Sequence, residues 1–560
     1  MEKGKLSHDA EAGLAATSLE RYGFRLGGRV DLAIDNHWFE FPSQDADKLE
    51  IWSYTDQLSY ALGEEVAFRS YCSGGTFSLT ILRDGAREEI VHRVEGLPGA
   101  MPPTPDDVYA KGADWPISYR WTIPADLRSG PYVAVSRTEN EQGEVREQHH
   151  IFVVRPAAEG PAGDYLLIFA SSTWIAYNEW GGANHYQGIA GENEREFSPI
   201  LSIRRPWARG FVRLPKGAPH AAHDRAVPPG WSVQVPFFNW ALGQGYSKWY
   251  VGGSYAEYDR HFVQWAEREG YALDYATQHD LHYRPEILDK YRTVILIGHD
   301  EYWSSEMRDA IDAFVDRGGQ VARFGGNYFW QIRLEGEHQD QVSYKIFAHE
   351  RDPVRDDPAR KHSLTTIWED RELDRPGVLT LGLNGSRGLY ARMGAMAPRH
   401  SGGFTVYRPR HWALEGTDLY YGDVFGAEAG IFGFEVDGLA YTFRDGLPYP
   451  TGEDGAPVDR IEIIAMAPAV LREDDHGNPL SRVWWRDDDA AVVARCVHGE
   501  VTPETLEKVQ YGSGMVVSYR RGKGEVFNAG SVIWSFGLTA RDFFTEQITR
   551  NVLDRFRQPN

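Results

Sequence analysis

From Arg29 to about Ala157 the chain runs in short stretches of alternating apolar and polar residues. Val66-Ala67-Phe68-Arg69-Ser70-Tyr71 and Phe77-Ser78-Leu79-Thr80-Ile81-Leu82 are two of them, and Gly, Pro and Asp turns separate them. Alternation with period two puts every second side chain on one face of a strand, so this stretch predicts an antiparallel, immunoglobulin-like β-sandwich. Residues 1–28, polar and ending in Gly27-Gly28, read as an N-terminal arm. Arg155 to Gly163 reads as a linker, because its prolines and glycines suit neither a helix interior nor a central strand. The expected units are therefore an arm (1–28), a sandwich (29–157) and a larger domain (158–560).

Past the linker the apolar positions become continuous. Tyr165-Leu166-Leu167-Ile168-Phe169-Ala170 and Arg292-Thr293-Val294-Ile295-Leu296-Ile297-Gly298 have the pattern of strands buried on both faces. After the second, the period changes: Met307, Ile311, Phe314 and Val315 fall on one helical face, serine caps the start, and Gly318-Gly319 ends the helix before the strand Gln320-Val321-Ala322-Arg323-Phe324. That is a βαβ unit, and it predicts a flavodoxin- or amidotransferase-like α/β domain with a parallel sheet. From about Glu335 to Gln510 the pattern is irregular, with strand-like pieces such as Ile461 to Met466, and reads as a β-rich elaboration of that core. Gly514 to Tyr519 and Gly524 to Gly530 predict a closing hairpin, and Phe543, Phe544, Ile548, Val552 and Leu553 a final helix.

Composition narrows the function. Asp and Glu number 81 against 59 Lys and Arg, a formal charge of -22, which repels phosphate backbones and anionic lipid and argues against nucleic acid or membrane partners. Two cysteines, Cys72 and Cys496, provide neither a disulfide framework nor a cysteine metal cluster. With no signal-like N-terminus and no long apolar run, the expectation is a soluble cytoplasmic protein. Aromatic residues make up 13% of the chain, including 18 Trp, so aromatic-lined pockets are expected.

In an open parallel sheet, ligands bind outside the carboxyl ends of the strands. Three such ends carry chemistry here: Thr173 to Tyr186 after the first strand, His299-Asp300-Glu301-Tyr302-Trp303 after the second, and Gly325-Gly326-Asn327 after the third. Carboxylates ligate hard cations or act as bases, and imidazole moves protons near neutral pH. Taken singly, each segment is also explained as a capped helix start, a Gly-Gly-Asn turn or packed tyrosines. Tyr302 reads as packing, His149-His150 as structural, and His220-Ala221-Ala222-His223-Asp224 as a solvated loop without zincin spacing. Neither cysteine follows a crevice strand, and no Gly-x-Ser-x-Gly or phosphate-binding loop sits at a strand end.

Together, Thr173-Trp174-Ile175-Ala176-Tyr177-Asn178-Glu179-Trp180-Gly181-Gly182, His299 to Trp303 and Gly325-Gly326-Asn327-Tyr328-Phe329-Trp330 resemble, in the same order, the large (β) subunit of N,N-dimethylformamidase over about residues 160–560. The resemblance implies hydrolysis of the C–N bond of a small, non-peptide amide at a mononuclear Fe3+ held by two tyrosines and a glutamate, hard oxygen donors that suit that ion. Glu301 matches the carboxylate ligand, Tyr177 the first tyrosine, and Tyr186 is taken as the second, at a shorter spacing than the family's. His299 and Asn327 match catalytic residues around the metal, as does Glu435, with Glu428 as the alternative. Homo-oligomers are expected. The small second subunit with which the family's formamidases work leaves no trace in this chain. Asp300 stands where those enzymes have proline, so substrate identity stays open. Two other readings remain: a non-catalytic or carbohydrate-directed protein on the same α/β core, and a glycosidase using two carboxylates such as Glu301 and Glu435.

Overall fold

The computed structural model describes residues 39–159, 163–188, 197–221, 236–390, 402–472 and 487–558. The arm expected at 1–28, the middle of the linker, and His223-Asp224 lie outside them. The chain is a mixed α/β protein of several sheets in which strands predominate.

In the N-terminal part, Ile51–Thr55, Glu65–Cys72 and Ile117–Thr122 form one antiparallel sheet. Thr76–Asp84, Glu88–Pro98, Gly130–Glu139 and Val145–Val154 form a second, with Ser59–Tyr60 at its edge. Val66, Phe68 and Trp121 of the first meet Leu79, Ile81, Tyr132 and Phe152 of the second in one apolar cluster. Strand alternation produces that cluster, since every second side chain has nowhere else to leave water. Partly buried ion pairs tie these sheets to the rest of the chain: Arg83 with Glu267 at 2.6 Å, and Arg260 with Asp84 at 2.8 Å.

The central sheet begins with five parallel strands in the order Leu273–Thr277, Tyr165–Phe169, Thr293–His299, Gln320–Gly326 and Gly524–Asn528. The expected βαβ unit is there, with its helix at Ser305–Asp316 and the Ser304 hydroxyl accepting from Met307 N. The closing hairpin pairs Tyr511–Arg521 with Gly524–Asn528, and the last helix is Phe543–Arg557. Beyond the hairpin the same sheet continues antiparallel through Ile461–Val470, Asn384–Tyr390 and Glu435–Gly438. The segment read as an elaboration therefore contributes an extension of the central sheet. It is less β-rich than its strand-like pieces suggested: Lys345–Phe347, Ala348–Arg351, Pro353–Asp356 and Lys361–Ser363 are single helical turns, and Asp487–His498 and Pro503–Gln510 are helices. Among the described residues no helix is long and apolar enough to cross a membrane.

One feature of the topology sets up the site. Thr293–His299 does not pass directly into its helix. The chain first steps through Asp300-Glu301 into a short strand, Tyr302–Ser304, which pairs in parallel with Trp330–Glu335 in a separate small sheet. Gln320–Gly326 steps across in the same way through Asn327 to Phe329. Two adjacent strand ends thus each deliver a short polar link into the gap between the two sheets.

Candidate functional site

Backbone geometry brings the links together. Gly298 has φ +69 and Asn327 φ +59, left-handed values that turn each chain out of the central sheet. A Cβ at Gly298 would lie 2.8 Å from Tyr258 Cβ, so the close approach as well as the turn requires glycine. The Glu301 carbonyl accepts from Trp330 N at 2.9 Å, and Glu301 N donates to Thr173 Oγ1 at 3.0 Å. These bonds aim the Glu301 carboxylate at the end of the helix Ser171–Tyr177. Asn184 Oδ1 accepts from Tyr186 N at 2.8 Å in a side-chain-closed turn, which folds Tyr186 back over Tyr177 with ring centroids 4.4 Å apart.

The result is one buried cluster. Tyr186 Oη donates to Glu301 at 2.8 and 3.0 Å from its two oxygens and lies 2.7 Å from Tyr177 Oη. His299 Nε2 stands 2.7 Å from Glu435 Oε2 and 3.3 Å from Glu301 Oε2. His299 Nδ1 bonds the Gly252 carbonyl, which fixes the ring and points Nε2 at the two carboxylates. Asn327 Nδ2 donates to Glu435 Oε2 at 2.8 Å and sits 3.1 Å from His299 Nε2, while its buried Oδ1 has no partner among the described residues. Tyr177, Tyr186, Glu301, His299, Asn327 and Glu435, from segments far apart in sequence, all reach this cluster. Glu428, the alternative to Glu435, is exposed on a turn.

Two sequence readings change, and one residue that the sequence does not mark joins the group. Tyr302, read as packing, donates its hydroxyl to Tyr186 Oη at 2.8 Å and belongs to the hydrogen-bonded group. Lys345 was not singled out at all: its buried ammonium lies 3.3 Å from the Tyr186 ring centroid and donates to Tyr302 Oη at 3.1 Å. It comes from the patternless stretch after Val342, where nothing in the local sequence marks a buried lysine. His220 does lie on a loop and keeps 29% side-chain exposure, but it is held in place, because its Nδ1 lies 2.7 Å from the buried Glu257 carboxylate.

Electrostatics follow from burial. Desolvation, reinforced by Glu301, holds the Tyr177 and Tyr186 phenols well above their ordinary range. Glu301 is also raised by burial, in part against His299. Burial alone would depress His299, but Glu435 and then Glu301 lift it to about 9. Burial lowers Lys345 to about 8, with Glu301 opposing. Two carboxylates, an imidazole and three phenols, all buried but for the partly buried Tyr186, thus share their protons at short range. Phenols so placed give up their protons only to a strong base, or when a bound cation stabilises the phenolate left behind. The donor atoms of His299, Glu301 and Glu435 also lie within 4.8 Å of one another, compact enough for one ion.

A family model described as N,N-dimethylformamidase beta subunit-like, C-terminal, matches residues 81–549. The N,N-dimethylformamidase beta subunit of an Alcaligenes species is 24% identical over 478 residues, covering 79% of this chain and 54% of that protein. That of Paracoccus aminophilus is 24% identical over 476 residues with the same coverage. The chain spans about half the length of these curated relatives. Among solved structures, CopC from Methylosinus trichosporium OB3b aligns at 24% identity over 19% of this chain and 97% of its own, with a TM-score of 0.13.

Proposed function

We propose that this chain, which belongs to the N,N-dimethylformamidase beta subunit-like, C-terminal family, is a hydrolase of a small, non-peptide amide, dependent on one ferric ion held by Tyr177, Tyr186 and Glu301. The observation that carries the reading is the direct contact of those three oxygen groups in a buried space: Tyr186 Oη lies 2.7 Å from Tyr177 Oη and 2.8 Å from Glu301. Hard, anionic oxygens suit Fe3+, and a trivalent cation is what would stabilise the phenolates of tyrosines that burial otherwise keeps neutral. When bound, such an ion supplies Lewis acidity that polarises the amide carbonyl and makes water more acidic.

The chain's own residues do the rest. Glu435 takes a proton from the attacking water, and His299, hydrogen-bonded to it, returns one to the departing amine as the C–N bond breaks. The Gly252 carbonyl keeps the imidazole in the orientation this needs. The Asn327 amide, beside both groups, donates to the oxygen on which charge develops. Tyr258 and Phe434 pack against His299 at centroid distances of 5.7 and 5.8 Å and keep bulk water from it. Self-association and a location in the cytoplasm belong to the same proposal.

The test is iron content, colour and turnover of a panel of formamides and larger amides. The protein should carry about one iron and a visible tyrosinate band that weakens in Tyr177→Phe. A Glu301→Ala protein that kept its iron and full activity would sink the assignment, as would a colourless, iron-free protein with undiminished amidase activity.

A further inference from the structure

Among the described residues a second group of ligand-type side chains stands apart from the cluster above. His349, Asp370 and Cys496 present donor atoms that all lie within 4.8 Å of one another. They come from three separate pieces of chain: the turn Ala348–Arg351, the loop after Ile367, and the helix Asp487–His498. His349 Nε2 lies 2.6 Å from Asp370 Oδ2. Thr366 Oγ1 donates to the same oxygen at 2.9 Å and lies 3.5 Å from Cys496 Sγ. Glu372 N donates to the other oxygen, Oδ1, at 2.9 Å, which fixes the carboxylate's orientation. Cys496 and Asp370 are buried, at 4% and 2% exposure, whereas the His349 side chain keeps 31% and opens the group to solvent.

We propose that this group is a second metal site, taking a borderline-soft divalent cation of the Zn2+ type through His349 Nε2, Asp370 Oδ2 and Cys496 Sγ. One sulfur, one imidazole nitrogen and one carboxylate oxygen are the donor types zinc accepts, and the thiolate discriminates against Mg2+ and Ca2+. Three protein ligands leave the fourth tetrahedral position to water or to the Thr366 hydroxyl, and the half-exposed imidazole provides the entry path. Binding releases the thiol proton to solvent, the proton that His349 Nε2 shares with Asp370 is likewise released, leaving a neutral imidazole protonated on Nδ1, and the ion takes the place of that hydrogen bond.

The position gives the ion a job. The single helical turns between Lys345 and Ser363 are held by local backbone bonds such as Asp352 N to the Ala348 carbonyl, with no continuous helix or strand running through them. His349 follows Lys345 by one turn, and Lys345 N donates to the Thr365 carbonyl at 3.1 Å. A metal joining His349, Asp370 and Cys496 would clip this segment to the helix Asp487–His498 and hold the backbone that places Lys345 on Tyr186.

The experiment is metal analysis of the full chain after exposure to Zn2+ alone and removal of the excess, with Co2+ as a spectroscopic substitute. Zinc bound at this group should survive in Glu301→Ala. It should be lost in Cys496→Ala and His349→Gln, with affinity falling by more than the roughly 10–100-fold that removal of an outer-shell partner costs. The Co2+ protein should show a thiolate-to-cobalt charge-transfer band that disappears in Cys496→Ala. Cys72, buried in the N-terminal sheets, belongs to no such ligand group among the described residues and should contribute none. His349→Gln, at a partly exposed position, keeps the test valid if the buried cysteine variant fails to fold. Wild-type protein that binds no zinc, zinc that persists in both variants, or a Co2+ protein without a thiolate band would each overturn the proposal.

Discussion

Replacing Arg323 with Met should be among the most damaging single changes outside the reactive cluster. The guanidinium is fully buried, with Nε 3.1 Å from Asp300 Oδ2 and Nη1 2.5 Å from Asp437 Oδ2 and 3.3 Å from Asn528 Oδ1. Methionine refills the aliphatic volume but leaves two buried carboxylates facing an uncharged thioether. Removing one partner of a buried pair costs roughly 3–5 kcal/mol, because the orphaned charge cannot return to water. Proton uptake limits that cost here. Burial already pushes Asp300 up to about 6 against the opposing pull of Arg323, so without the arginine it becomes protonated at neutral pH. The damage reaches the site, since Asp300 precedes Glu301, Asp437 lies two residues beyond Glu435, and Asp437 Oδ1 accepts from Tyr328 N beside Asn327. The assay is thermal and denaturant unfolding of wild type, Arg323→Met, and Arg323→Met combined with Asp437→Asn, with iron content measured on each. Arg323→Met should lower the melting temperature by on the order of 3–4 °C and reduce iron retention, and the double variant should recover part of the stability by removing one orphaned charge. A loss under about 1 kcal/mol, or a double variant less stable than the single one, would refute the reasoning.

Asp259 offers a pH test. Burial lifts its carboxyl from 3.8 to about 8, only partly opposed by Trp174, whose Nε1 donates at 2.9 Å. The folded state therefore favours the protonated form, and stability present below about pH 4 is lost as pH rises towards 8. Asp259→Asn removes that slope, so its stability relative to wild type should grow by up to about 1.4 kcal/mol per pH unit between pH 5 and 8. Urea midpoints that stay parallel across that range would contradict the assignment. At Gly253 a Cβ would lie 2.7 Å from the Tyr177 ring and 2.8 Å from Thr173 Cγ2. Gly253→Ala should displace both, weakening iron binding and the visible band at a stability cost of roughly 1–3 kcal/mol. Gly75→Ala, where a Cβ meets nothing within 4 Å, is the control. An unchanged spectrum in Gly253→Ala would show that the tyrosine is not held as described.

Local pattern determined the parts of this protein that local physics controls. Continuous apolar runs such as Thr293 to Ile297 became strands buried on both faces, the serine-capped stripe after them became the helix Ser305–Asp316, and the strand ends carried His299, Glu301 and Asn327 into one crevice. Side-chain periodicity and capping act within a few residues, so one sequence is enough to read them. The rest depended on contacts across long stretches of chain. That Tyr302 faces Tyr186, that a lysine from an unpatterned turn lies on the same ring, and that Glu435 rather than Glu428 meets His299 are matters of register and burial between distant segments. The extension of the parallel sheet by antiparallel strands from 384–470 has the same origin, because pairing partners as far apart as Tyr390 and Val470 leave no periodic signal in either strand. Residue types at strand ends are local information, whereas which charges and rings share a dry space is decided only when the sheets close around them.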